Sequence, residues 1–181
     1  RYELLYNPVK KINWERNNNK NTFCFIGRRS YQKGFDRALK VSKNLPDISF
    51  TWFGEQEKNF RKNAVTPENM NLASSDNIEN IFSKSNVVII LSRWEGASTV
   101  AIECLLSKKP FLSINCPGVN EFFYDGFNDI NKFDSLEALE EGIKNFDLEF
   151  NLKLSEKLYT NFKDQFDSAF LAKRYAEICK I

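Results

Sequence analysis

The chain of 181 residues is 42% hydrophobic, 28% charged and 14% aromatic, with a net charge of only +2. Its lack of histidine excludes Ser-His-Asp triads, Cys-His pairs and histidine-ligated zinc. The longest apolar run is the five residues Val87–Leu91, far short of the roughly 20 that a membrane-spanning helix needs.

In chain order, short apolar or β-branched runs alternate with helical patterns. Strands are expected at Glu3–Tyr6, Thr22–Ile26, Ile48–Phe53, Asn69–Leu72, Val87–Leu91 and Phe111–Ile114, with a weaker one near Asp129–Phe133. The run VVIIL at Val87–Leu91 suits a strand buried on both faces. Helices are expected at Phe35–Leu45, Asp76–Lys84, Ala97–Ser107 and Leu136–Phe146. The tail from Phe150 reads as two more, Leu152–Phe166 and Ser168–Lys180. In the first of these helices, Phe35, Ala38, Leu39 and Leu45 share one face. The polar stretch Asn13–Asn21 reads as an exposed loop. Strand–helix alternation of this kind predicts a single α/β domain, a Rossmann-like parallel sheet flanked by helices, with extra C-terminal helices. No charged-then-apolar leader opens the chain, which begins at Arg1 and reads as a soluble piece of a longer protein.

Charge is unevenly spread, with 11 Lys/Arg against three Asp/Glu in residues 1–43 and the opposite balance beyond. This points either to an anionic ligand near the first third or to a solvated basic face. Basic–aromatic interleaving is absent, so no nucleic-acid partner is expected. Cys24, Cys104, Cys116 and Cys179 contain no C-x-x-C pair, which suggests inert thiols in a reducing, cytosolic compartment.

Ligands of open α/β sheets bind beyond the carboxyl ends of strands, where three loops stand out. The first, FIGRRSYQKGF, gathers Arg28, Arg29 and Lys33 between Gly27 and a helix start, which suits a phosphate. It is neither a P-loop nor a G-x-G-x-x-G fingerprint. The second, SRWEGASTVAIEC, sets Gly96, Ala97, Ser98 and Thr99 at a helix start, where Ser98 or Thr99 is equally suited to capping it. If both lay on one helix, Glu95 and Glu103 would stand ~12 Å apart along the axis. The simplest reading makes Glu95 a partner of the helix dipole and Glu103 a half-exposed helix glutamate. Yet Glu103 lies between Ile102 and Leu105, and a carboxylate in apolar surroundings needs a partner. The third loop, NCPGVNEFF, turns at Pro117–Gly118 and places Glu121 at a short helix.

Together these loops resemble the C-terminal donor-binding domain of family-4 glycosyltransferases, retaining enzymes of the GT-B fold. Gly27-Arg28 and Lys33-Gly34 match that family's first loop. Glu95 and Glu103 match its E-x7-E motif within the frame Ser92–Gly96, and Gly118–Glu121 matches its G-x-x-E. The resemblance runs from about Leu4 to Lys180. The chain departs from the family at Gly96-Ala97-Ser98, where G-F-G is usual, at Cys104, and at Cys116-Pro117-Gly118.

The resemblance implies that residues 1–181 are the nucleotide-sugar (donor) domain of a retaining hexosyltransferase, whose N-terminal acceptor domain is absent from this chain. Catalytic roles would fall to Glu95, Arg28 and Lys33. Donor binding would involve Gly27, Arg28, Lys33, Glu95, Gly96 and Glu103, with the backbone N–H groups of Ser98, Thr99 and Val100 around the phosphates. Glu103 would hold the ribose hydroxyls, Glu95 the donor sugar, and Glu121 a supporting position. No metal or other cofactor is implied, and the donor would be a UDP-, GDP- or ADP-sugar. The full-length enzyme would work in the cytoplasm, at the inner membrane face, on a polysaccharide or glycolipid, while the chain alone would transfer poorly. The alternative is a non-catalytic α/β module that binds nucleotide or a partner protein.

Overall fold

A computed structural model describes residues 6, 8–17, 22–58, 60, 64–74, 76–123, 131–166 and 168–179, with residue 168 described for its backbone only. Six strands build one sheet: β1 (Phe23–Ile26), β2 (Phe50–Phe53), β3 (Met70–Ala73), β4 (Val87–Ile90), β5 (Phe111–Ile114) and β6 (Lys132–Phe133). Their order is β3-β2-β1-β4-β5-β6 and every pairing is parallel. The chain winds outward from β1 in one direction and restarts at β4 in the other. The crevice between the carboxyl ends of β1 and β4 is therefore the topological switch point.

Side-chain alternation along each strand feeds two cores. Cys24, Val88 and Ile90 face a cluster completed by α2 (Ile78–Lys84), α3 (Thr99–Leu106) and α5 (Leu148–Phe162). Phe23, Phe25, Val87 and Ile89 face the other, completed by α1 (Phe35–Asn44) and α4 (Leu136–Lys144). Both faces of β4 are thus covered, and all four of its residues are buried. Trp52 on β2 is the largest fully buried side chain; it stacks on Phe25 at 5.4 Å and meets the edge of Phe35 at 5.1 Å. Its indole N–H donates to the Gly27 carbonyl at 2.7 Å, so a core residue also sets the first loop of the site. The tail ends in α6 (Ser168–Cys179).

Helix starts follow local chemistry. Asn77, Ser98, Ser135 and Asp147 each accept a backbone N–H into the side chain as N-caps, a contribution of about 1 kcal/mol each. The Asp147 cap starts α5 at Leu148, four residues before the expected Leu152, and α4 ends at Lys144 rather than Phe146. The expected strand Glu3–Tyr6 lies outside the described residues except for Tyr6, as do residues 129 and 130 of the weaker one.

The loop expected at Asn13–Asn21 is present over its described part, where residues 13–17 carry no regular secondary structure and Asn13, Glu15 and Arg16 are exposed. Trp14 and Asn17 are half-buried and anchor it. Residues 12–17 form a strap pinned across the amino-terminal edge of the sheet. Ile12 is buried and its N–H donates to Ser107 Oγ at 2.9 Å; the Trp14 indole donates to Ser107 O at 2.9 Å. Asn17 N–H donates to Asn86 Oδ1 at 3.0 Å, and Asn86 Nδ2 returns a bond to Asn17 O at 2.9 Å. The Asn86 side-chain amide thus pairs with the Asn17 backbone in both directions, as another peptide group would.

Candidate functional site

The two loops at the switch point are held against each other by close backbone approaches. Gly34 has φ +75, and a Cβ there would lie 2.2 Å from the Leu91 carbonyl oxygen. Gly118 has φ +78, and a Cβ there would lie 2.4 Å from Glu95 O. Only glycine fits positions that combine a left-handed φ with such contact. Arg93 N–H donates to Gln32 O at 2.8 Å, and Glu95 N–H to Pro117 O at 3.0 Å. Loops following β1, β4 and β5 thus meet around one crevice.

Lys33 and Glu95 meet there. Lys33 Nζ lies 2.6 Å from Glu95 Oε1, and Ser92 Oγ donates to the same oxygen at 2.6 Å. The Glu95 side chain is only 9% exposed and that of Lys33 22%. An ion pair this far from water depends on both partners remaining. Beneath it is a narrow cleft lined by Ile26, Lys33, Ser92, Glu95, Ser98 and Val100, among others.

Glu95 is not helical. It precedes the N-cap Ser98 by three residues, and α3 has no acidic residue in its first turn. The helical separation from Glu103 and the dipole role therefore do not apply. Ser98 Oγ accepts from Ala101 N at 3.4 Å, so this serine does cap the helix. Its own N–H donates to Gly118 O at 3.3 Å. The first-turn donors left unpaired among the described residues are those of Thr99 and Val100. Gly96 is adjacent, and a Cβ on it would meet nothing within 4 Å. Protein packing does not demand glycine there.

Glu103 lies deeper in α3, half-buried, with no hydrogen bond or ion pair among the described residues. Burial alone raises its carboxyl above the ordinary value of 4.5. Arg28 reaches away from the Lys33–Glu95 pair: its side chain is 63% exposed and lies 3.6 Å from Glu57. Arg29 bridges to Gln56 through its backbone, and its Nε is buried without a partner. Glu121, in a short 3-10 turn, accepts a 2.6 Å bond from the Tyr6 hydroxyl. Burial, and then that bond, push the tyrosine up.

Sequence reasoning passed over the support behind this crevice. Asp36 takes two bonds from Arg93, at 2.9 and 2.8 Å, and Arg93 also donates to Tyr31 O at 2.6 Å and covers the Tyr31 ring at 3.6 Å. Asp36 and Arg93 are 57 positions apart, so only the adjacency of β1 and β4 discloses them. Ser92 stood in the quoted motif frame without a role; its hydroxyl three residues before a glutamate was the available signal.

An open parallel sheet with this strand order, and charged groups converging at its switch point, defines a doubly wound, Rossmann-like α/β fold. The sequence model for "Glycosyl transferases group 1" matches residues 8–164. The chain belongs to this family. An uncharacterized glycosyltransferase of Methanocaldococcus jannaschii, MJ1178, is 27% identical over 157 residues, 80% of this chain and 44% of its own length. An uncharacterized 41.2 kDa protein in the cps region of Klebsiella pneumoniae is 30% identical over 140 residues, 68% of this chain and 38% of its own length. The chain therefore spans less than half the length of these relatives. Among solved structures, TarM superimposes with a TM-score of 0.77 at 17% identity, covering 96% of this chain and 38% of TarM. Anabaena Alr3699/HepE, in complex with UDP and glucose, gives 0.74 at 15% identity, covering 90% of this chain and 48% of its own. At such identities these likenesses establish the fold.

Proposed function

We propose that this chain is the donor-binding part of a retaining, metal-independent hexosyltransferase that takes a UDP-, GDP- or ADP-sugar. The observation that carries the reading is Glu103. A half-buried carboxylate without a partner, on a helix whose first turn offers free N–H groups, suits a ligand that brings both hydroxyls and phosphate. A nucleoside diphosphate has both. The complex of the structural neighbour HepE with UDP and glucose supports the same class.

On this reading the ribose hydroxyls donate to Glu103, and phosphate oxygens accept from the N–H groups of Thr99 and Val100. Gly96 leaves their approach open, and Ser98 shapes the turn rather than giving its own N–H. Lys33 exchanges its bond to Glu95 for the diphosphate. Its ammonium then stabilises the charge that develops as the sugar leaves, in a crevice where water screens little. Glu95, freed from Lys33 but still bonded by Ser92, turns to hydroxyls of the donor sugar. Gly27 lets the phosphates approach the first loop, and Arg28 swings from Glu57 to add a second cation. Neutralisation by side chains and helix dipole is the role a metal would otherwise fill. The reading extends to retention of configuration, a companion acceptor domain, a polysaccharide or glycolipid acceptor, and a site at the cytoplasmic membrane face.

Calorimetric titration of the chain with UDP, GDP and ADP, and then with their hexose conjugates, tests the reading. One nucleotide is expected to bind in the micromolar to millimolar range, with Arg28→Ala and Glu103→Ala each weakening it about tenfold, or ~1.4 kcal/mol. Binding of none of them, by this chain or by a longer form carrying the companion domain, would favour a non-catalytic module that binds only a partner protein.

A further inference from the structure

Most large aromatic side chains here are buried, but Tyr31 and Trp94 are 52% and 50% exposed and lie beside each other, ring centroids 6.2 Å apart. They stand on two different loops of the same crevice. Each is close in sequence to a charged residue that turns inward, Lys33 and Glu95. Single exposed aromatics need no explanation, but an adjacent pair on two loops does. One face of the Tyr31 ring is taken by the Arg93 guanidinium at 3.6 Å, which Asp36 locks through two bonds. Gln32 Nε2 donates to Trp94 O at 3.2 Å and its carbonyl accepts from Arg93 N at 2.8 Å, so the two backbones are zipped together. Among the described residues, neither the Trp94 indole N–H nor the Tyr31 hydroxyl has a hydrogen-bond partner. The structure sets two aromatic rings side by side, tilted 55° to one another, and leaves their polar tips open.

We propose that Trp94, flanked by the tilted ring of Tyr31, forms a stacking surface for a pyranose ring of the acceptor saccharide. A pyranose presents C–H bonds on its flat face and hydroxyls around its rim. The C–H bonds, weakly positive, meet the negative face of an aromatic ring. The rim hydroxyls can accept from the indole N–H and the tyrosine hydroxyl. Pre-organisation by Asp36, Arg93 and Gln32 reduces the ordering cost that weak stacking must overcome. The platform belongs to the acceptor because the Lys33–Glu95 pair, which faces the donor, lies on the inner side of the same two loops. This inference rests on the glycosyltransferase reading above, and the test keeps the two apart.

Saturation-transfer spectra of the whole chain with maltotriose and with chitotriose, at tens of millimolar, supply the readout, alongside calorimetric titration of the nucleotide. At least one trisaccharide is expected to receive saturation on the C–H protons of one ring face. Trp94→Ala should abolish it, Trp94→Phe should keep more than half, and Tyr31→Ala should weaken it severalfold. Nucleotide affinity should stay within about twofold in all three. The platform is overturned if wild type saturates neither trisaccharide, if Trp94→Ala leaves the signal intact, or if Trp94→Ala weakens nucleotide about tenfold, which would give the ring to the donor. Trisaccharide binding through Trp94 with no nucleotide binding would keep the platform and remove the glycosyltransferase reading; the reverse pattern would do the opposite.

Discussion

Lys33 Nζ and Glu95 Oε1 lie 2.6 Å apart on the loops after β1 and β4, bridging the switch point of the sheet. A second bond to the same oxygen comes from Ser92, so Glu95 keeps one partner if the lysine leaves. This arrangement lets the ammonium change partners without abandoning a buried carboxylate.

The first prediction concerns that pair. Lys33→Ala removes the cation from a carboxylate that is 9% exposed and should cost about 1–3 kcal/mol of stability, read as a lower Tm. It should also weaken the nucleotide diphosphate about tenfold or more while leaving the nucleoside monophosphate less affected, because the lost charge serves the distal phosphate. Equal loss for both nucleotides would remove Lys33 from the diphosphate.

Gly96 gives a cleaner separation of fold from function. A Cβ there would meet nothing within 4 Å, so Gly96→Ala should change stability by no more than about 0.5 kcal/mol. Nucleotide affinity should nonetheless fall about tenfold, because the added methyl would project into the space proposed for the phosphates. An unfolded or strongly destabilised variant would show that the loop is packed more tightly than this, and unchanged affinity would move the phosphates away from Gly96.

Glu103 should behave as a residue kept at the expense of stability. Its folded carboxyl is raised above 4.5 by burial, so between 4.5 and the raised value the folded state holds more protons than the unfolded one. Stability from this group is therefore present in acid and lost as pH rises through that window. Glu103→Gln should raise Tm at neutral pH by a few degrees, leave it nearly unchanged at acid pH, and weaken nucleotide binding. Thermal melts across pH with parallel titrations check all three, and a lower Tm at neutral pH would point to a structural bond for the carboxylate.

Much of this was legible in the chain itself, and the gaps share a cause. β4 was readable because VVIIL is apolar on both faces, and the Ser98 cap because serine before an apolar run has few other roles. Local rules of this kind act over a few residues. Lys33 with Glu95 and Asp36 with Arg93 are 62 and 57 positions apart and meet only because β1 lies beside β4. Arg28 and Lys33 were grouped by sequence, yet the turn at Gly27 sends them to different partners. Strand order, which periodicity does not carry, decides each case.

Lys109 was equally hidden, and it sets the last prediction. It is fully buried after α3, donating to the Phe82 carbonyl at 2.5 Å and to that of Ser85, with the Trp14 ring 3.3 Å from its Nζ. It thereby caps the last turn of α2, whose carbonyls carry the negative end of the helix dipole, and fastens the strap. Burial pushes its amine from 10.5 down to about 7. Between about 7 and 9, below the range where burial holds the thiols of Cys24, Cys104 and Cys116 protonated in the folded state alone, this amine makes the unfolded chain bind more protons than the folded one, so stability should rise with pH across that window. Lys109→Met should erase that slope. It should also lower Tm at every pH, because Phe82 O and Ser85 O lose a buried donor at about 1–3 kcal/mol. Denaturation followed by tryptophan fluorescence between pH 6 and pH 9 reads both effects; a flat wild-type profile there would mean that the two carbonyls and the indole hold the ammonium charged throughout.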